Sequence, residues 1–157
     1  MRLVESAIKA NEYQKQRMVE KIEKSLGDPR NRNICILGLA FKPETDDMRE
    51  APSIPIIRRL IDKGCSLKLY DPAAMENARR HVFTGIDEGR ILYCENEYQA
   101  AEDVDVLVIL TEWNQFRRLD LPKIRGLMKG RHFFDFRNLY EPEDMIKFGF
   151  IYEGVGR

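Results

Sequence analysis

Residues 34–70 read ICILGLAFKPETDDMREAPSIPIIRRLIDKGCSLKLY and contain a strand, a helix and a second strand. The apolar run Ile34 to Leu37 is typical of a short buried strand, and Ser66 to Tyr70 alternates apolar and polar residues, as half-buried strands do. Between them, Pro52 to Lys63 has helical spacing and two prolines in its first turn. This order predicts a right-handed crossover between parallel strands.

The same alternation continues to the end of the chain. The run Val104 to Leu110 is almost wholly apolar, as expected for a strand that is covered on both faces. We therefore predict an α/β fold with a mostly parallel sheet of five to six strands flanked by helices. Further helices are predicted at 73–81, 97–101 and 121–128, and further strands at 91–94, 132–136 and 148–152.

A long helix is predicted ahead of the first strand, over residues 3–26, which contain no proline or glycine. Its apolar stripe is interrupted in the middle by Asn11, Gln14 and Lys15. A long and interrupted face is hard to bury within one small domain, so we expect this helix to pack on something outside the following unit. The helix is expected to end at Gly27. The apolar stripe consists of Val4, Ile8, Met18, Ile22 and Leu26.

Charge and composition exclude several classes of protein. The 157 residues include 26 Lys plus Arg and 26 Asp plus Glu, so the formal net charge is zero. That balance argues against a nucleic-acid binder that relies on a large basic field. A hydrophobic fraction of 43% argues against a disordered chain. No stretch approaches the roughly 20 apolar residues of a membrane span. We expect neither a nucleic-acid nor a membrane partner.

The N-terminus and the cysteines indicate a cytoplasmic location. Residues 1–14 show no apolar core and no cleavage site of a secretory signal. Cys35, Cys65 and Cys94 form no CxxC pair and no metal-ligand spacing. An odd number of cysteines in a chain without a signal is typical of reduced thiols. Cys35 and Cys65 fall in or beside predicted strands, where we expect buried, unreactive thiols, and we predict no metal site.

The loop after the first strand is the first candidate for a binding site, because ligands of such sheets lie beyond the carboxyl ends of the strands. Residues 38–50 lack the GxGxxG pattern of dinucleotide-binding turns, but they contain Lys42 and Arg49 just before a helix N-terminus. The loop can instead be a solvated surface segment with internal Asp–Arg pairs. Both interpretations stay open at this point.

A second cation, Arg137, follows the fifth predicted strand. It would project over the same crevice as Lys42, and an arginine fork together with a lysine point charge suits a diphosphate. The alternative is a surface pair between Arg137 and Asp135.

Three further residues at strand ends have structural explanations. Asp71 stands where a dinucleotide fold places a ribose-binding carboxylate, but Asp-Pro at the start of a helix is fully explained as an N-cap. Thr111 can cap the short helical turn that follows it. Trp113 is expected to pack on the sheet edge rather than to stack on a ligand.

The run from Ile36 to Ser53, ILGLAFKPETDDMREAPS, resembles the start of the C-terminal domain in the UDP-glucose/GDP-mannose dehydrogenase family. The first helix resembles the last part of the family's central helical domain, and Gly149 to Arg157 resembles the carboxyl end of bacterial members. The resemblance covers nearly the whole chain. Further matches, in the family's order, are Tyr70-Asp71-Pro72, Thr111-Glu112-Trp113 with Phe116, and Asp135 with Arg137-Asn138.

The resemblance implies that this chain is the C-terminal part of a longer enzyme. Full members bind NAD mainly on an N-terminal domain, pair largely through a helical middle domain, and oxidise the C6 alcohol of a nucleotide sugar in two hydride transfers. Their catalytic cysteine lies in an upstream loop that this sequence lacks. We therefore expect no catalytic residue here, no oxidation by the chain alone, and a homodimer for the full enzyme.

The resemblance also divides the chain and assigns site residues. Residues 1–30 would end the central helical domain, and residues 31–157 would form a Rossmann-like domain that binds the UDP-sugar. By position, Phe41, Lys42 and Arg137 resemble the family's substrate-binding residues. Arg49 resembles the arginine that reaches NAD.

The nature of the sugar stays open. Residues 46–52 are most like those of members that act on UDP-glucose, with UDP-N-acetylhexosamine and GDP-mannose relatives as alternatives. Phe136 departs from the family pattern, in which many members have a small residue between the aspartate and the arginine.

Two other classes of function are compatible with the pattern. A signalling receiver with flavodoxin-like topology is suggested by Asp46 and Asp47 after the first strand and by Thr111 after the fourth. Against it, no aspartate closes the third strand and no lysine follows the fifth. The remaining alternative is a module that only mediates oligomerisation.

Overall fold

The computed structural model describes residues 2–86 and 88–156, so Met1, Asp87 and Arg157, the last residue of the family-like ending, lie outside the described residues. Within the described ranges, six strands form one parallel sheet in the order β3-β2-β1-β4-β5-β6. The predicted α/β class is confirmed. The strands are β1 Asn33–Leu37, β2 Ser66–Tyr70, β3 Ile91–Tyr93, β4 Val106–Ile109, β5 His132–Asp135 and β6 Ile151–Gly154.

Helices alternate with these strands and cover both faces of the sheet. Ile34 and Ile36 of β1 point into one apolar core, and Cys35 and Leu37 point into the other. Both faces of β1 are therefore buried, which explains its continuous apolar sequence. The helices are α1 Arg2–Leu26, α2 Ser53–Asp62, α3 Met75–Asn77, α4 Glu97–Ala101, α5 Leu121–Leu127 and α6 Pro142–Lys147.

The strand order reverses between β1 and β4, which is where open α/β sheets usually hold their ligands. The chain runs from β1 through β2 to β3 on one side and from β4 through β5 to β6 on the other. Leu37 at the end of β1 is level with Tyr70 in β2 and Ile109 in β4. The loops that follow these three strands therefore meet at one edge.

The C-terminal half of α1 packs on this domain, contrary to the expectation that the helix would pack elsewhere. Met18, Val19 and Ile22 are buried in the same core as α2, and Arg59 of α2 pairs with Glu23 at 2.8 Å. The prediction was wrong because the polar interruption of the apolar stripe divides α1 into a buried C-terminal half and an exposed N-terminal half. Three apolar residues of the N-terminal half are more than half exposed, namely Leu3, Val4 and Ile8.

Three elements differ from the sequence-based expectation. The helix predicted at 73–81 consists of the short α3 and a π-helical turn, Ala78–Val82. The helix α6 was not predicted, because one buried residue, Met145, gives it no visible periodicity. The last strand begins at Ile151 rather than at residue 148, since Gly149 (φ 92°) ends α6 and turns the chain.

Among the described residues, the structure shows no helix with the length and apolar character that crossing a bilayer requires. The longest helix, α1, carries charged residues along its whole length.

Two isoleucines of α1 test which half of the helix stabilises the domain. Ile22 is fully buried, so Ile22→Ala should lower the free energy of unfolding by about 2–4 kcal/mol. Ile8 is 57% exposed, so Ile8→Ala on the same helix should change it by less than about 0.5 kcal/mol. Urea unfolding followed by circular dichroism measures both values. Equal effects of the two substitutions would contradict the assignment of the buried half.

Candidate functional site

The crevice between β1 and β4 is closed by the chain itself. Gly38 has a φ of 96°, and a Cβ at this position would lie 2.5 Å from Oγ1 of Thr111. The Thr111 hydroxyl donates a hydrogen bond of 2.7 Å to the carbonyl of Ala40. The prediction that Thr111 caps the following helical turn was wrong, because its hydroxyl joins two strand ends instead.

Asp71, at the end of β2, holds the three loops together. Its side chain is 1% exposed and accepts five hydrogen bonds from the described residues. The predicted helix cap is confirmed, since Oδ1 accepts from the backbone N–H groups of Ala73 and Ala74 at 2.8 and 2.9 Å. The other oxygen, Oδ2, accepts from the N–H groups of Leu39 and Ala40 at 2.7 and 3.0 Å. Both oxygens are occupied, so the carboxylate is not available to a ribose.

Trp113 completes this closure. Its ring is buried, with 7% exposure, and its indole N–H donates to Oδ2 of Asp71 at 3.3 Å. The expectation of a packing role is confirmed. Protein groups thus fill the crevice that holds a dinucleotide in other sheets of this order, and the residues here do not fit one.

A second buried carboxylate, Asp135, shapes the loop after β5. Its Oδ2 accepts from the N–H groups of Leu139 and Tyr140 at 2.7 and 3.0 Å and from the Tyr152 hydroxyl at 2.7 Å. Its Oδ1 accepts from the backbone N–H of Arg137 at 3.2 Å. This role was not predicted from the sequence, although an aspartate that ends an apolar strand was a usable signal.

The side chain of Arg137 pairs with Glu112, which follows β4, through Nε and Oε2. The alternative of a side-chain pair with Asp135 was wrong, because Asp135 receives the backbone N–H of Arg137 instead. The two side chains are 34% and 29% exposed, so the pair is partly shielded from water. Among the described residues, no hydrogen bond reaches the terminal nitrogens of Arg137, which are therefore free to bind an anion.

A cleft of about 630 Å³ lies between α1 and the ends of the strands. This volume falls within the range of about 300–1,000 Å³ that is usual for small-molecule sites. Phe41 and Arg137, both predicted site residues, line the cleft together with Pro52 and Glu50. Lys42 is exposed and is not among the lining residues, so the structure does not bring it together with Arg137 on this cleft as predicted. The opposite wall is formed by α1, through Ile8, Asn11, Glu12, Gln14, Lys15 and Met18.

Arg49 lies on a different hollow, of about 580 Å³, next to Thr45 and Asn77. Its guanidinium contacts the Asp47 carboxylate at 2.8 Å, so the predicted Asp–Arg pair within the loop is confirmed. Hydrogen bonding to Arg49 lowers the pKa of Asp47 from 3.8 to about 2. The Arg49 side chain is 88% exposed and can therefore be reached by a group outside this chain.

The three cysteines are buried, as predicted for Cys35 and Cys65. Burial raises the pKa of Cys65 to about 11, and burial also raises the pKa values of Cys35 and Cys94. A raised pKa keeps a thiol protonated and weakly nucleophilic at neutral pH. No group of three or more His, Cys, Asp or Glu residues able to hold a metal ion occurs in the part of the chain that the structure describes.

Comparison with known proteins shows one consistent family. Residues 35–142 match the profile described as "UDP-glucose/GDP-mannose dehydrogenase family, UDP binding domain". A UDP-glucose 6-dehydrogenase of Rhizobium meliloti (strain 1021) is 42% identical over 158 residues. The match covers 100% of this chain and 35% of that protein. The chain thus spans about a third of the length of the relative it matches.

Solved structures resemble this one in fold. A UDP-glucose dehydrogenase from the hyperthermophilic archaeon Pyrobaculum islandicum has a TM-score of 0.77 at 33% identity, over 96% of this chain and 31% of its own. An NDP-N-acetyl-D-galactosaminuronic acid dehydrogenase from Methanosarcina mazei Go1 has a TM-score of 0.71 at 25% identity, over 94% of this chain and 29% of its own.

Replacement of Asp71 tests its role as a structural anion. Asp71→Asn should lower the free energy of unfolding by about 3 kcal/mol, because an amide turns its N–H₂ group toward donors that now face a carboxylate oxygen. Asp46→Asn, on an exposed side chain of the loop after β1, should change the free energy of unfolding by less than about 0.5 kcal/mol. Urea unfolding measures both. Retention of full stability by Asp71→Asn would contradict the assignment.

Thiol labelling tests whether any cysteine is reactive. At about pH 8, a disulfide reagent such as DTNB should leave all three thiols of the native chain unmodified, since their pKa values are raised and their side chains are buried. In guanidinium chloride all three should react. Rapid labelling of one thiol in the native chain would identify a nucleophile that the structure does not show.

Proposed function

The chain belongs to the UDP-glucose/GDP-mannose dehydrogenase family, and on this basis we propose that it is the C-terminal, UDP-binding part of an NAD-dependent UDP-glucose 6-dehydrogenase. In this proposal residues 1–30 end the central helical domain, and residues 31–157 form the UDP-sugar-binding domain. The full enzyme is a homodimer that converts UDP-glucose to UDP-glucuronate. Dehydrogenases of UDP-N-acetylhexosamine or GDP-mannose are the alternatives.

The observation that supports the proposal most directly is the cleft beside Arg137. Glu112 contacts Nε of the guanidinium, and the two terminal nitrogens can form paired hydrogen bonds with phosphate oxygens. Phe41 lies on the same cleft and adds apolar surface, with 48% of its side chain exposed. A partly shielded arginine beside an exposed aromatic ring suits a nucleoside diphosphate.

Lys42 and Arg49 have different parts in the proposal. Lys42 neutralises charge near the nucleotide sugar from outside the lining of the cleft, which its long and flexible side chain permits. Arg49, on the second hollow, would reach NAD held by another domain, since the filled β1–β4 crevice of this chain leaves no place for it. The bound NAD would supply the acceptor for the hydride that leaves the sugar. The residues of this chain bind and orient the UDP moiety, and none of them is assigned a catalytic role.

The receiver alternative is disfavoured by the sheet. Flavodoxin-like domains have the strand order 2-1-3-4-5, whereas this sheet has the order β3-β2-β1-β4-β5-β6. The Asp47 carboxylate is also already paired with the Arg49 guanidinium.

Binding of UDP to the 157-residue chain tests the proposal by titration calorimetry. Arg137→Ala and Lys42→Ala should each weaken binding by about 1–3 kcal/mol, because each removes a charge-assisted contact to phosphate. Lys129→Ala, an exposed lysine just before β5, serves as the charge-matched control and should bind UDP as the parent chain does.

Unchanged affinity in both Arg137→Ala and Lys42→Ala would rule out this site. A rise in melting temperature with Mg²⁺ but not with UDP would favour the receiver. The absence of any shift with either ligand would favour the oligomerisation module.

A further inference from the structure

We infer that Lys15, on α1, is a second phosphate-binding cation of the cleft that Arg137 lines, an inference that rests on the proposed function. Lys15 and Arg137 are the two cationic residues that line this cleft among the described residues. They lie on different walls, because Lys15 comes from the helix ahead of the sheet and Arg137 from the loop after β5. A diphosphate between the two walls would be neutralised from both sides.

The Lys15 side chain is unusually shielded for a lysine on a surface helix, with 13% exposure. Its ammonium donates a hydrogen bond of 3.3 Å to Glu12, three residues earlier on the helix. The Glu50 carboxylate, in the loop after β1, is 3.8 Å away, which is too far for a hydrogen bond. Since an ammonium has three N–H donors, Lys15 keeps donors for a further partner.

The two glutamates near Lys15 are weak partners. Their side chains are 61% and 84% exposed, so water competes strongly for both carboxylates. A phosphate in the cleft carries more charge than one carboxylate and offers more acceptor oxygens. An incoming diphosphate can therefore take the ammonium from Glu50, whose exposed side chain is free to move into water.

A purely structural role makes a different prediction. If Lys15 only held α1 against the loop after β1, its partner Glu50 would matter as much as Lys15 itself. The loss of either charge would then disturb the cleft for any occupant, whether or not the occupant carries phosphate. The two roles therefore separate when the ligand and the partner are varied independently.

The experiment compares UDP with uridine by titration calorimetry on the 157-residue chain. Lys15→Ala should weaken UDP binding about ten-fold and leave uridine binding unchanged, because uridine has no phosphate. Glu50→Gln should leave UDP affinity unchanged or increase it. Lys9→Ala, which removes the same charge from an exposed site on the same helix, should have no effect.

Several outcomes would overturn the inference. One is an equal loss of UDP affinity in Lys15→Ala and Glu50→Gln. Another is that Lys15→Ala weakens the binding of UDP and of uridine equally. A third is that Lys9→Ala lowers UDP affinity as much as Lys15→Ala does. Lys15→Met retains the buried stem and replaces Lys15→Ala if the alanine variant does not fold. If Arg137→Ala weakens UDP binding and Lys15→Ala does not, this inference alone fails. If neither Arg137→Ala nor Lys42→Ala weakens UDP binding, the proposed function fails.

Discussion

The buried carboxylate of Asp71 is the constraint on which this end of the molecule depends. It lies at the end of β2, accepts N–H groups from the loop after β1, and receives the indole N–H of Trp113 from beyond β4. Such a buried charge is tolerated because its hydrogen-bonding capacity is used. One side chain thereby fixes the ends of three strands and fills the place where a dinucleotide would otherwise lie. A ligand must approach farther out, at the loops and α1.

Asp135 repeats this arrangement at the end of β5, on the other side of the β1–β4 switch point. Its carboxylate orders the loop after β5, so that the Arg137 backbone is fixed while its side chain reaches across to Glu112. Buried carboxylates thus order the loops behind the cleft, while charged side chains such as Arg137 and Lys15 line it.

The sheet was predictable because its central strands β1 and β4 are apolar on both faces, β2 alternates, and the crossovers carry clear turn residues. Local signals also sufficed for the Asp71 cap and for the packing of Trp113. The features of the site that could not be predicted depend on contacts between residues that are distant in the sequence. Glu112 and Arg137 meet because β4 and β5 are neighbours. The helix α1 forms one wall of the cleft because it packs on α2. No spacing rule in the sequence encodes either contact.

The close approach of Gly38 to Thr111 determines which substitutions this part of the chain can tolerate. A side chain at position 38 would collide with Thr111 and would also require an unfavourable left-handed backbone, so the position excludes every residue with a Cβ. Arg137 and Lys15, by contrast, can be replaced without steric conflict. In a saturation library selected only for folding, the least permissive position in this region would therefore be a glycine that faces no ligand. Positions that tolerate no substitution would then mark the contact between the ends of β1 and β4. The ligand-binding residues would become intolerant only in a selection for ligand binding.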